Sequence, residues 1–198
     1  MARSTLAARV PMKIHLTSFA PLTLLALAAG LQLSCSSDDG EGGGPSGEAN
    51  CRIEEVPAEP SFRAHILPTF QGACTFSSSC HGSKTRSQVD LYLGEKLPRT
   101  AADEMSSAAI SEMLAGVIGR ASVTAPDVQL IAAGNAASSF LMHKIDDTHR
   151  DQGYACTAQA SDLDHPCGDS MPQTAEELLC SKERETIRRW IDQGAKDN

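Results

Sequence analysis

The sequence predicts an all-α fold: one small helical domain with long loops and disulfides, placed after a signal segment and a flexible linker. Two observations point there. Apolar residues recur at helical spacing in segments near residues 60–73, 102–118, 138–145 and 181–195. Large rings are scarce, with one Trp, two Tyr and five Phe in 198 residues, while seven cysteines offer covalent support to a core that has few of them.

Residues 1–35 read as a signal segment. Arg3, Arg9 and Lys13 precede an apolar stretch from Phe19 to Leu33 that ends at Leu33-Ser34-Cys35. That stretch is shorter than the roughly 20 residues a membrane-spanning helix needs, so a cleaved signal is expected rather than a membrane span. Met12-Lys13 would itself serve as a signal start. Cys35 resembles the acylated cysteine of bacterial lipoproteins, although Gln32 stands where that family usually has Leu. The resemblance implies lipidation at Cys35, a membrane anchor and a location in the cell envelope, with the domain facing the periplasm or the exterior. An ordinary secretory signal with an incidental cysteine is the alternative. Residues 36–59 are expected to form a flexible linker, since the run from Ser36 to Gly47 is glycine, serine and acid and buries nothing.

Residues 60–198 then form a single domain of about 140 residues, enough for one modest core. Setting aside Arg3, Arg9 and Lys13 leaves 14 basic against 25 acidic residues. Such a surface repels phosphate backbones, which argues against nucleic acid and favours a basic protein or a cation as partner.

Six cysteines remain after Cys35, and six allow fifteen pairings. Proximity in sequence favours Cys156 with Cys167, and Cys51 with Cys180 ties the start of the domain to its end. A bridge closing so long a loop is worth about 5 kcal/mol in the loop-entropy model, against roughly 2.4 for the small ring that would join Cys74 to Cys80. The short ring gains least, so Cys74 and Cys80 are the better candidates for chemistry.

Phe62, Ile66 and Phe70 recur at four-residue spacing and predict a short helix running into Cys74, its regularity limited by Pro68. Gly82–Lys96 reads as a loop with an extended piece over Val89–Leu93. Met105, Ala109, Ile110, Met113, Leu114 and Val117 make a helical stripe over 102–118, closed by Gly119, with both methionines expected in the core. Phe140, Leu141 and Ile145 mark a helix over 138–145, and Gly153–Met171 is a polar loop. Thr174-Ala175-Glu176-Glu177 reads as a capping box, and Ile187, Trp190 and Ile191 share one face of a final helix over 181–195 that docks through Trp190. No period typical of repeat proteins recurs.

The candidate chemistry lies in Cys80-His81-Gly82 and in Met171-Pro172, 90 residues later. A c-type haem requires thiols that add to its vinyl groups, an adjacent imidazole for the iron and a second axial ligand. The sequence resembles the small cytochrome c domains of bacterial lipoproteins. The matching residues run from Ile66-Leu67-Pro68-Thr69-Phe70 through Cys74, Cys80-His81-Gly82, Ala133-Gly134-Asn135, Ser138-Ser139-Phe140-Leu141 and Met171-Pro172, and close with Ile187–Ala195. The resemblance implies an all-helical haem-pocket fold with His81 and Met171 as iron ligands and Cys80 as an attachment point. It departs from the family in one respect: five residues separate Cys74 from Cys80, where the family has two. Three outcomes follow. Both thiols attach through a bulged loop; Cys80 alone attaches, with Ser77 in the place of the first thiol; or Cys74 and Cys80 pair and no haem is bound covalently.

His143, on the same short helix as Leu141, reads as a surface or satisfied half-buried histidine and is the first substitute should Met171 not be the sixth ligand, while His65, His149 and His165 are expected to be solvated. Zinc at Cys74, Cys80 and His81 lacks a second close ligand pair, and Asp162, Asp164 and Asp169 lack a calcium-loop pattern. Nucleophile-elbow, phosphate-loop and zinc-protease motifs do not occur. The leading expectation is therefore an electron carrier rather than a catalyst, binding haem c and serving a redox partner protein in the envelope. The alternatives are a haem-free, disulfide-stapled lipoprotein domain with a binding or structural role, and a haem enzyme or sensor with an open sixth position.

Overall fold

Cys51 and Cys180 are joined by a disulfide, so the first and last described segments of the chain are covalently tied. The computed structural model describes residues 51–87, 90–95, 105–157, 167–173 and 177–198. Residues 1–50, which hold the expected signal segment with Cys35 and most of the expected linker, lie outside them, as do Val89, Asp162, Asp164, His165 and Thr174–Glu176 of the expected capping box. Within these residues the structure is helical and contains no strand; only isolated bridges pair Ile118 with Ile131 and Ala121 with Gln129. No described helix is long and apolar enough to cross a membrane.

The first helical segment begins as a wide π-helical turn, Phe62–Ile66, and continues as α1, Leu67–Ala73. Pro68 explains the change of pitch: it sits in the first turn of α1, where its missing N–H costs nothing, and its ring disfavours a regular helix just before it. The turn is capped by Ser61, whose Oγ accepts from the Ala64 N–H. Phe62, Ile66 and Phe70 are buried, and the Phe62 ring lies 5.4 Å from the ring of Trp190.

α2 spans Ser107–Ala115, shorter than the apolar stripe suggests. Ser106 adopts an extended backbone and accepts from the Ala109 N–H, so the cap starts the helix after Met105. The helix stops at Gly116, and Gly119, at φ +70°, makes the left-handed turn beyond it. Asn135 caps a short 3₁₀ turn, Ala136–Ser138, which leads into α3, Phe140–Ile145. α4 runs over Ser181–Asp192 and ends before Gly194 at φ +101°. Ile187, Trp190 and Ile191 bury its inner face, Trp190 being 1% exposed. One core cluster joins these side chains to Ile110, Met113, Leu114, Ile131, Met142 and Ile145. Met113 belongs to that core, and Met105 is half-buried against it.

Both expected disulfides are present, Cys51–Cys180 and Cys156–Cys167. The linker boundary differs from the expectation of 36–59, because the chain is held on the domain from Cys51 onward. The Arg52 guanidinium lies 3.1 Å from Glu183, whose carboxylate is fully buried, and also donates to Gly72 O. Gly72 permits this approach, since a Cβ there would lie 2.6 Å from Arg52 Nε. Ile53 is buried, and the carbonyls of Glu54, Pro57 and Ala58 accept from Lys182, Arg189 and Gln193. The composition of 51–59 is polar, but its backbone serves as a row of acceptors for α4.

Candidate cofactor-binding site

α1 delivers Cys74 as its C-cap residue, with the Cys74 N–H donating to Phe70 O at 2.7 Å. Thr75 is buried next to it, its hydroxyl within reach of Gln71 O and Glu95 O. The chain then makes a serine-rich turn. Phe76 stands 52% exposed at its tip, and Ser77 receives the Cys80 N–H on both its hydroxyl and its carbonyl oxygen. Ser77 places its Oγ 3.2 Å from Cys80 Sγ. His81 closes the loop, donating its N–H to Cys74 O at 3.1 Å and accepting the Leu93 N–H at 3.0 Å. Cys74, Cys80 and His81 are thus brought together at the end of α1, and both cysteines are free thiols.

The His81 ring is held by the segment that follows. Nδ1 lies 3.1 Å from Leu91 O, and a carbonyl only accepts, so Nδ1 carries the proton and Nε2 keeps its lone pair. Burial lowers the pKa of His81, against the opposing pull of the Leu91 carbonyl. The result is a neutral, oriented imidazole with Nε2 free for a ligand, the arrangement in which metal-binding histidines are usually fixed. The Cys74 thiol, by contrast, is pushed up to about 12, chiefly by burial. Arg52 pulls in the other direction, while Glu183 and Cys80 add to the rise.

Met171 is half-buried, and its N–H donates to Lys144 O at 2.9 Å, which fixes it to α3. It borders the same core cluster as Cys74, Leu91, Tyr92 and Met105. Its polar tie runs to α3 and not to the Cys74–His81 loop; what Met171 and that loop share is the core they both border.

Of the other histidines, His143 is half-buried with both ring nitrogens satisfied, as expected, whereas His65 and His149 are not solvated. His143 cannot stand in for Met171 as it is placed, because Nδ1 lies 3.0 Å from Thr148 Oγ1 and Nε2 3.0 Å from Ala137 O, which occupies both nitrogens. His149 was expected in solvent and is instead fully buried, its Nε2 2.8 Å from Gly168 O. His65 is half-buried and accepts the Ser61 N–H at Nδ1. Among the described residues no three His, Cys, Asp or Glu side chains converge as they would on a metal ion such as zinc.

As chemistry, the donor set suits a c-type haem: free thiols beside a neutral imidazole on one loop, and a thioether bordering the same core. No family model matches the chain, and neither curated proteins nor solved structures give a match.

Proposed function

We propose that the domain is a haem c electron carrier of the cell envelope, anchored through a lipid at Cys35 and delivering electrons to or from a redox partner protein. The observation that carries this reading is the His81 imidazole, locked through Nδ1 on Leu91 O beside the free thiol of Cys80. Cys80 is the attachment residue in this reading, because the Cys74 thiol, half-buried at the end of α1 and pushed up to about 12 chiefly by desolvation, is a poor nucleophile. His81 and Met171 would hold the iron. When bound, the haem would supply a one-electron couple, and ligation by a thioether together with an imidazole would raise its potential. What the chain contributes is an oriented neutral imidazole, a tethering thiol and low-dielectric surroundings. The acidic balance suits docking to a basic partner, and no nucleic-acid role is proposed.

The test is production of the full chain in a host with haem-attachment machinery. A haem absorbance band and a covalent mass increase on the denatured chain are expected, retained in Cys74→Ser and abolished in Cys80→Ser. A haem-free product with Cys74 and Cys80 paired would refute the carrier reading. It would favour a haem-free, disulfide-stapled domain with a binding or structural role, a reading that the densely buried core around Phe62, Phe70 and Trp190 supports.

A further inference from the structure

The segment that carries Met171 is pinned to α3 and the turn after it at Cys167, Gly168, Asp169 and Met171. Cys167 is held covalently by Cys156, and its carbonyl lies 2.9 Å from Lys144 Nζ. The next carbonyl, that of Gly168, accepts from His149 Nε2 at 2.8 Å. Asp169 faces Arg150 at 3.5 Å and accepts from Gln173 Nε2, and Met171 donates its N–H to Lys144 O. Gly168, at φ +72°, adopts the left-handed backbone on which consecutive carbonyls are presented to Lys144 and His149.

The anchoring side chains are costly ones. Lys144 is 7% exposed and His149 is wholly buried, with their nitrogens 3.5 Å apart and His149 Nδ1 making no hydrogen bond. An apolar pair could fill the same space at less desolvation cost. Apolar packing, however, does not orient a carbonyl, whereas two donors aimed at consecutive carbonyls fix the direction of the backbone and of the side chain that follows.

We propose that Lys144 and His149 are positioning residues that clamp the Cys167–Met171 backbone and thereby set the direction of the Met171 thioether. The clamp itself is independent of any cofactor; its consequence for the thioether rests on the haem reading above. Lys144→Met keeps length and apolar bulk but loses the donor. His149→Phe loses the ring N–H, and His149→Gln keeps an N–H within reach of Gly168 O.

Two measurements on the full chain test the proposal. In haem-free protein, backbone hydrogen exchange over 167–173 should quicken by about tenfold or more in Lys144→Met and His149→Phe, with α4 unchanged and His149→Gln close to the parent. In haem-loaded protein the same two variants should weaken the thioether–iron absorption and lower the reduction potential, and His149→Gln should restore both. Unchanged exchange at 167–173, or equal acceleration in α4, overturns the clamp. Faster exchange with an unaltered spectrum and potential overturns the positioning of Met171. A chain that takes up no haem refutes the carrier reading alone, since the exchange comparison still decides the clamp.

Discussion

Opening the Cys51–Cys180 bridge should destabilise the domain far more than opening Cys156–Cys167. The two bridges join residues 129 and 11 apart. In the loop-entropy model these separations correspond to about 5 and about 2.8 kcal/mol, a difference of roughly 2 kcal/mol. A typical domain is stable by only about 5–15 kcal/mol, so the first loss approaches the whole. The native contacts around Cys51 argue that the folded state changes little when the bridge is absent. Arg52 on Glu183 and Gly72, Lys182 on Glu54 O, Arg189 on Pro57 O and Gln193 on Ala58 O all remain available to a Cys51→Ser/Cys180→Ser chain. The effect therefore falls on the unfolded chain, which regains the freedom the long loop had lost. The assay is urea unfolding followed by Trp190, the lone tryptophan, 1% exposed against Phe62. The reasoning is refuted if the Cys51/Cys180 double variant loses no more stability than the Cys156→Ser/Cys167→Ser variant.

Arg52→Ala should cost about 3 kcal/mol in the same assay, because it takes from the fully buried Glu183 its guanidinium partner; a loss below about 1 kcal/mol would show the pair to be dispensable. With its pKa near 12, Cys74 in a haem-free Cys80→Ser chain should resist alkylation at pH 8 until urea unfolds the protein, and rapid native labelling would contradict the burial argument. His149 is held below the usual imidazole range first by burial and then by Lys144 and Arg150, against the opposing pulls of Gly168 O and Asp147. The unfolded chain therefore takes up that proton first, and the stabilising contribution, present above about pH 6.5, is lost as the pH falls below it, by up to about 1.4 kcal/mol per pH unit. Unfolding midpoints between pH 7 and 5.5 should fall less steeply in His149→Gln, and an equal slope in the two chains would count against the assignment.

The helical faces were legible because each is a local pattern. Phe62, Ile66 and Phe70, and likewise Ile187, Trp190 and Ile191, lie on one side of their own turn whatever surrounds them, and all are buried. The two disulfides were legible from spacing and parity. The length of α2 was not, because one serine hydroxyl at Ser106 accepting from Ala109 outweighs the apolar residue before it. The hold on residues 51–59 was hidden for another reason: its donors sit on α4 and at its C-terminal end, about 130 residues away, and its acceptors are backbone carbonyls that carry no residue identity. The burial of His149 was not legible, since His is ordinarily a surface residue and its partner, the Gly168 carbonyl, lies 19 residues on. Cys80 and His81 stood out as a motif, but the group that decides the tautomer of His81 is the Leu91 backbone carbonyl, which carries no residue identity, and the extended piece expected over Val89–Leu93 did not reveal that this carbonyl faces the imidazole.

Both candidate iron ligands sit on loops, and loops not anchored by a sheet depend on polar ties for their rigidity. The Cys74–His81 loop has its ties in the His81 and Leu93 N–H groups and the Leu91 carbonyl; the Met171 segment has them in Lys144, His149 and the Cys156 bridge. An electron carrier needs such fixed ligands, because a site that relaxes between oxidation states adds to the barrier for transfer, and a loosely held axial ligand is lost. A scaffold with no cofactor has no comparable need of oriented carbonyls: Lys144→Leu and His149→Phe would fill the same space with apolar packing while no longer directing the Cys167 and Gly168 carbonyls. The energetic cost of these two anchors therefore discriminates between the readings. If apolar replacements at both positions stabilise the haem-free chain while degrading the loaded one, the anchors exist for the ligand they orient; if they stabilise it and change nothing else, the haem-free reading gains.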